Sequence, residues 1–238
     1  MANSYFISDA HLGAGDEAAE RLKEDKLLSF FDHAAKTGER LFIVGDLFDF
    51  WFEYRNVIPR GYARILSGLS RMRECGLELH YIAGNHDFWM RDYFPKELGI
   101  PIHFDNLEYT INGKRFFLEH GDGIAKDDGG YRILKRIFRN RVNIFLYSLL
   151  HPDIGVPLAK WVSSLSRGHT SNREFDDNDY ILRAQEKFQQ GFDYVLFAHL
   201  HHPIFKTMGN SIYLNLGDWM KHFTYAVFNG EELKLEKW

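Results

Sequence analysis

The chain has almost no sulfur chemistry to offer: one cysteine, Cys75, in 238 residues. That excludes an internal disulfide framework and any thiolate-based zinc site, and it leaves Cys75 as a small core filler. Positive charge is not in excess either. Twenty-nine Lys and Arg face 33 Asp and Glu, for a net charge of −4. A general nucleic-acid binder needs basic surface to neutralise phosphates, so no nucleic-acid partner is expected. No apolar run reaches 18 residues, which excludes a transmembrane helix. The opening stretch MANSYFISDAH has neither a basic start nor an apolar core. No signal peptide is therefore expected, and the compartment read from the sequence is the cytoplasm. Internal repeats and low-complexity segments are absent, and no feature points to a protein partner.

What is abundant is aromatic: 16% of residues, with 21 Phe, alongside 12 His. Such a surplus implies a large core or an apolar surface that binds something greasy. The length suits a single domain over residues 1–238.

Short apolar runs of strand length recur, and each ends in a polar cluster. SYFIS leads to Asp9 and His11, RLFIV to Asp46 and Asp49, and LELHYIA to Asn85, His86 and Asp87. Further on, RFFLE leads to His120, DYVLFA to His199, His201 and His202, and SIYLN to Asp218. Helical patterns over residues 17–36 and 61–75 separate the early runs. That alternation predicts an α/β fold with parallel strands, whose ligands gather at the strands' carboxyl ends. Asn112-Gly113 and Asn229-Gly230 are hairpin signals, so the sheets are mixed. Residues 124–190 interrupt the rhythm and read as an insertion carrying several helices.

Asp9, His11, Asp46, Asn85, His120, His199 and His201 form a set of oxygen and imidazole donors without thiolate. Seven donors suit two divalent ions that share a carboxylate, with Mn²⁺, Fe and Zn compatible with the amide ligand. In extended backbone, Asp-x-His and His-x-His would place alternate side chains on one face. His33, His80, His103, His151 and His222 lie outside these motifs and read as structural. Asp49 and His202 are ambiguous.

In order, DAH at 9–11, GDLFD at 45–49, GNHD at 84–87, HGD at 120–122 and AHLH at 198–201 resemble the calcineurin-like metallophosphoesterase family. Ala198 stands where that family usually has Gly. The resemblance implies a four-layer α/β/β/α sandwich of two mixed sheets. It also implies a site with two divalent ions, one held by Asp9, His11, Asp46 and His201, the other by Asp46, Asn85, His120 and His199. By the same resemblance His86 acts on the phosphate and Asp87 orients it.

The aromatic runs around Phe48–Tyr54, Phe88-Trp89 and Trp219 look like the UDP-2,3-diacylglucosamine hydrolase branch of lipid A biosynthesis. That likeness implies Mn²⁺, a nucleotide-lipid substrate, and an apolar channel beneath a lid formed by the inserted helices. Substrate contacts would come from Asn85, His86, Tyr131, Ser166, Arg167 and Asn172, with Asp127 and Asp128 opening the lid motif. One departure is His86, where better-known members carry Arg. Residues 131–150 hold five cations and no acid, on a helical apolar spacing. Such a segment can lie on an anionic membrane surface, peripheral to the inner face of the cell membrane.

Overall fold

The strand-length runs all become strands because their alternate residues bury on both faces. The structure is a computed structural model that describes residues 2–126, 129–159, 161 and 176–238. In the first half, β1 (Asn3–Ile7), α1 (Glu17–Thr37), β2 (Gly38–Val44), α2 (Ala63–Glu74) and β3 (Glu78–Ile82) alternate. The short β4 (Ile102–His103) follows, then the hairpin of β5 (Asn106–Ile111) and β6 (Lys114–Glu119). Three helices come next: α3 (Gly129–Phe138), α4 (Arg141–Ser148) and α5 (152–159). After them α6 (Asn178–Gln189) leads to β7 (Tyr194–Phe197), β8 (Pro203–Met208), β9 (Ser211–Leu216), β10 (Thr224–Phe228) and β11 (Leu233–Lys237).

Two mixed sheets result, ordered β11-β10-β1-β2-β3-β4 and β5-β6-β7-β9-β8. The strands β1 to β4 run parallel in the first, and β6, β7 and β9 in the second. Period-2 burial then builds four layers. Tyr5, Ile7, Leu41 and Ile43 turn outward to Leu27, Phe31, Ile65 and Leu69 of α1 and α2. Phe6, Phe42 and Val44 turn inward to Phe116, Leu118 and Leu196 of the second sheet. On the far face, Phe117, Val195 and Phe197 meet Tyr180 and Ala184 of α6. The α/β/β/α sandwich is thus the observed architecture.

Local chemistry sets the boundaries. Asp16 caps α1 by accepting from the Ala19 amide, and Glu17 and Glu20 in the first turn complement the helix dipole. Asn112 and Gly113 both take positive φ, 50° and 78°, as a type I′ turn requires. The second hairpin is longer than a two-residue turn. Residues 229–232 connect β10 to β11, and the Asn229 carboxamide oxygen accepts from the Glu231 and Glu232 amides.

Three expectations change. Cys75 is exposed just past the end of α2 and does not fill the core. The helical stretch 124–190 divides, because α6 packs on the second sheet and belongs to the outer layer. The aromatic run Phe48–Tyr54 also divides between two clusters. Phe48 and Trp51 join Trp219 in the main core, whereas Phe50, Phe52 and Tyr54 meet Ile144, Tyr147 and Val156 of α4 and α5.

The seam between the sheets is testable at Phe6, which is fully buried and stacks on Phe42 (4.9 Å) and Phe116 (5.6 Å). Phe6→Ala should lower unfolding free energy by about 3–5 kcal/mol in urea titrations. A loss under about 1 kcal/mol would mean that the seam collapses onto the cavity.

Candidate metal centre

Five parallel strands, β1, β2, β3, β6 and β7, end at one edge of the sandwich, and each ends in a loop bearing donors. The first two loops are zipped together. The Asp9 amide donates to the Gly45 carbonyl (3.1 Å), His11 to Asp46 (2.9 Å) and Leu12 to Leu47 (3.0 Å). Within the second sheet, just past the ends of β6 and β7, the Ala198 amide donates to the His120 carbonyl (3.0 Å).

These loops are not extended. Asp9, His11, Asp46, His199 and His201 all take positive φ, between 42° and 68°. The expected period-2 presentation of Asp9 with His11, and of His199 with His201, is therefore replaced by left-handed kinks. Such backbone is unfavourable for side-chain residues and persists only where surroundings over-determine it. The close packing leaves no space at two glycines. A Cβ on Gly84 would run into the Asp46 carboxylate and amide, and one on Gly45 into the His120 ring.

All seven expected donors converge. Ligand atoms of Asp9, His11 and His201 lie within 4.8 Å of one another, as do those of Asp46, His120 and His199. His11, Asp46 and His86 form a third such group. The Asn85 carboxamide oxygen lies 3.0 Å from His120 Nε2. Asp46 stands between the groups, its Oδ2 3.6 Å from His11 Nε2 and 3.3 Å from His120 Nε2.

The two carboxylates are held alike. Asp9 Oδ2 accepts from the His199 amide (3.1 Å), and Asp46 Oδ1 accepts from the His86 amide (2.9 Å). Their other oxygens, Asp9 Oδ1 and Asp46 Oδ2, are buried without a hydrogen bond. His120 faces the Val44 carbonyl through Nδ1 (3.0 Å); donation there leaves Nε2 as the inward lone pair. Buried, unsatisfied carboxylate oxygens facing imidazole lone pairs fit divalent cations.

Electrostatics agree. Burial would raise the Asp46 carboxyl, but the charges of His120, His86 and His11 hold it well below the carboxylate range. Burial likewise opposes Asp9, and His11 and His201 outweigh it to keep that carboxyl low. Burial should depress His11, yet Asp49, Asp9 and Asp46 push it up to about 10. His120 is also pushed up to about 10 against its burial, chiefly by Asp46. His199 goes the other way, down to about 4, through burial and the His120 charge. Without metal, the carboxylates draw protons onto the imidazoles; a cation would satisfy the same field.

The expected role of Asp87 does not survive. Its carboxylate accepts from the Gly84 amide (2.8 Å), the Tyr81 hydroxyl and, at 3.5 Å, the Phe48 amide, not from the His86 ring. Asp49 stands beside both imidazoles instead. Its backbone oxygen lies 3.0 Å from His86 Nδ1, and its carboxylate is 3.6 Å from His11 Nδ1. The sequence signal was the second Asp of GDLFD.

Tyr131 on α3 reaches the centre indirectly, by donating to Asp122 Oδ2 (2.8 Å), which also pairs with Lys135 (2.7 Å). Asp122 lies two residues past His120, so this contact fastens α3 to the metal loop. Ser166, Arg167 and Asn172 lie outside the described residues, as do Asp127 and Asp128. The segment's cations are partly engaged within the protein. Besides Lys135, Arg132 donates to the Ala125 and Lys126 carbonyls and Arg139 to Phe104 and Asp105. Arg136 and Arg141 are exposed and have no ion-pair partner among the described residues. The apolar side of α3–α5 faces solvent, with Ile133, Val142, Phe145, Leu149 and Ile154 all 60% exposed or more. No helix among the described residues is long and apolar enough to cross a membrane.

Comparison with known proteins finds relatives over nearly the whole chain. A UDP-2,3-diacylglucosamine hydrolase of Porphyromonas gingivalis is 34% identical, covering 98% of this chain and 96% of its own. One from Haemophilus influenzae is 27% identical, covering 94% and 93%. Among solved structures, an archaeal phosphodiesterase shares the fold with a TM-score of 0.51 and 13% identity over 98% of each chain. The profile of the calcineurin-like phosphoesterases matches residues 3–203, the span that holds every donor. With that match and a full-length relative at 34% identity, the chain belongs to the calcineurin-like phosphoesterase family, whose donors here form groups suited to divalent metal ions.

Proposed function

We propose that the protein hydrolyses the pyrophosphate of UDP-2,3-diacylglucosamine, releasing UMP and 2,3-diacylglucosamine 1-phosphate, in lipid A biosynthesis. The observation that carries this reading is the pair of donor groups joined by Asp46, set beside helices with a solvent-facing apolar side. The named activity of relatives aligned over nearly the whole chain supports the substrate.

Asp9, His11, Asp46 and His201 would hold one ion, and Asp46, Asn85, His120 and His199 the other. Mn²⁺ suits this oxygen and nitrogen set. Bound there, two divalent ions would activate water and neutralise charge on the phosphoryl oxygens. The chain's residues supply the rest. The Asp49 carbonyl accepts from His86 Nδ1 and so points Nε2 at the centre, where the ring, once protonated on both nitrogens, would donate to a phosphoryl or departing oxygen. The α3–α5 helices serve as the lid of a site whose substrate carries two acyl chains. Their apolar side and the exposed Arg136 and Arg141 favour an anionic membrane surface, so the protein would work peripherally on the inner face of the cell membrane.

Purified protein should release UMP from the nucleotide-lipid with Mn²⁺ and not after chelation. Turnover of other phosphodiesters with none of this one would remove the substrate assignment. Asp46→Ala should lose both metals by elemental analysis and, with them, about three orders of magnitude or more in turnover. His86→Ala should keep both metals and lose about 10²–10⁴ in kcat. Normal metal content and rate in both variants would refute these roles.

A pH titration gives an independent check. Stripped of metal, folded His11 and His120 hold protons up to about 10, against 6.5 ordinarily. The fold then binds more protons than the unfolded chain between those limits. This contribution to stability is complete below pH 6.5 and fades as pH rises towards 10. Metal displaces the same protons, so its affinity strengthens over that window. Melting curves of stripped and Mn²⁺-loaded protein should diverge as pH rises above 6.5; parallel curves would contradict the assignment.

A further inference from the structure

The two sides of the metal centre are built differently. The side near Asp46 and His120 is occupied by the apolar helices, fastened through Asp122 to Tyr131 and through the Trp89 indole to the Phe138 carbonyl (3.0 Å). The side near Asp9 and His201 meets a polar turn, residues 218–223. The Trp219 amide donates to the Asp9 carbonyl (3.1 Å), which seats the turn directly against the centre.

That turn is rigid. The buried Asp218 carboxylate accepts from the amides of Met220 (2.9 Å), Lys221 (2.6 Å) and His222 (3.0 Å), and binds His222 Nδ1 (3.0 Å). Phe223 is held at φ 52°, an unfavourable conformation for an aromatic residue, under Lys26, whose ammonium lies 4.5 Å from its ring centre. Turns held in strain beside a reactive centre recur at binding sites. With Nδ1 committed to Asp218, the Nε2 edge of His222 is left for a ligand. The ring stands 5.8 Å from that of His202, the neighbour of His201, whose side chain is 31% exposed where Asp9 and His11 are sealed. Lys221 is exposed on the same turn.

We propose that Lys221 and His222 form the subsite for the nucleoside monophosphate half of the substrate, contacting its phosphate and ribose oxygens. This rests on the function proposed above and divides the substrate between the two sides. The acyl-sugar phosphate lies under the apolar helices, and the nucleotide lies along the 218–223 turn. An ammonium and an oriented imidazole suit phosphate and hydroxyl oxygens. The subsite requires no further metal.

The test uses full-length, Mn²⁺-loaded His222→Ala and Lys221→Ala, the latter a surface change that spares the turn. Each should keep wild-type metal content, and Lys221→Ala the wild-type melting temperature. KM for the nucleotide-lipid and the inhibition constant of UMP should both rise about tenfold, the loss of one hydrogen bond to a charged group. kcat should stay within about twofold, and inhibition by 2,3-diacylglucosamine 1-phosphate should not change. UMP inhibition unaltered in both variants would overturn the subsite, as would equal weakening of both products. The parent reading fails separately, if the wild type cleaves a chromogenic phosphodiester and leaves the nucleotide-lipid intact. UMP inhibition of the chromogenic reaction would then still judge Lys221 and His222.

Discussion

Two buried carboxylates organise this molecule. Asp9 and Asp46 each give one oxygen to a backbone amide from another strand end, His199 and His86 respectively. Each turns its second oxygen inward, where no hydrogen bond meets it. Desolvated negative charge of this kind is costly unless cations answer it. The surrounding imidazoles, the left-handed backbone at five donors and the intolerance of a Cβ at Gly45 and Gly84 all follow from closing the loops around that charge.

The sandwich makes such closure possible. Parallel strands in both sheets deliver their carboxyl ends to one edge, and the aromatic seam of Phe6, Phe42 and Phe116 fixes one sheet against the other. Donors from β1 to β3 can then meet donors from β6 and β7 with little freedom left to lose. Residues 48–54 serve both ends of this arrangement. Phe48 and Trp51 lock the loop into the core, while Phe50 and Phe52 carry the contact to α4 and α5. Metal centre and apolar helices are therefore tied through one short stretch of chain.

Much of this was legible without coordinates. Apolar runs closing on Asp9, Asp46, Asn85, His120 and His199 located the strand ends, because burial on two faces demands such runs. Other features were not. Nothing in Asp-x-His announces positive φ, since hydrophobic spacing reports burial and not backbone handedness. Asp87 was the natural partner for His86 by adjacency, yet its side chain turns into the core towards Tyr81 and Gly84. Asp49, three residues beyond Asp46, reaches the imidazoles because the loops cross there. No local pattern places the 218–223 turn against Asp9, where the Trp219 amide meets the Asp9 carbonyl.

By itself, then, the sequence determined the candidate donors, the α/β class and the lack of cysteines for a thiolate site, all of which are properties of residue type and period. Only the tertiary structure decided which oxygen of each carboxylate stays unbonded, which residue orients His86, and which sides of the centre are apolar or polar. Those depend on contacts between segments far apart in the chain, whose positions are set by how two sheets pack and not by any local pattern.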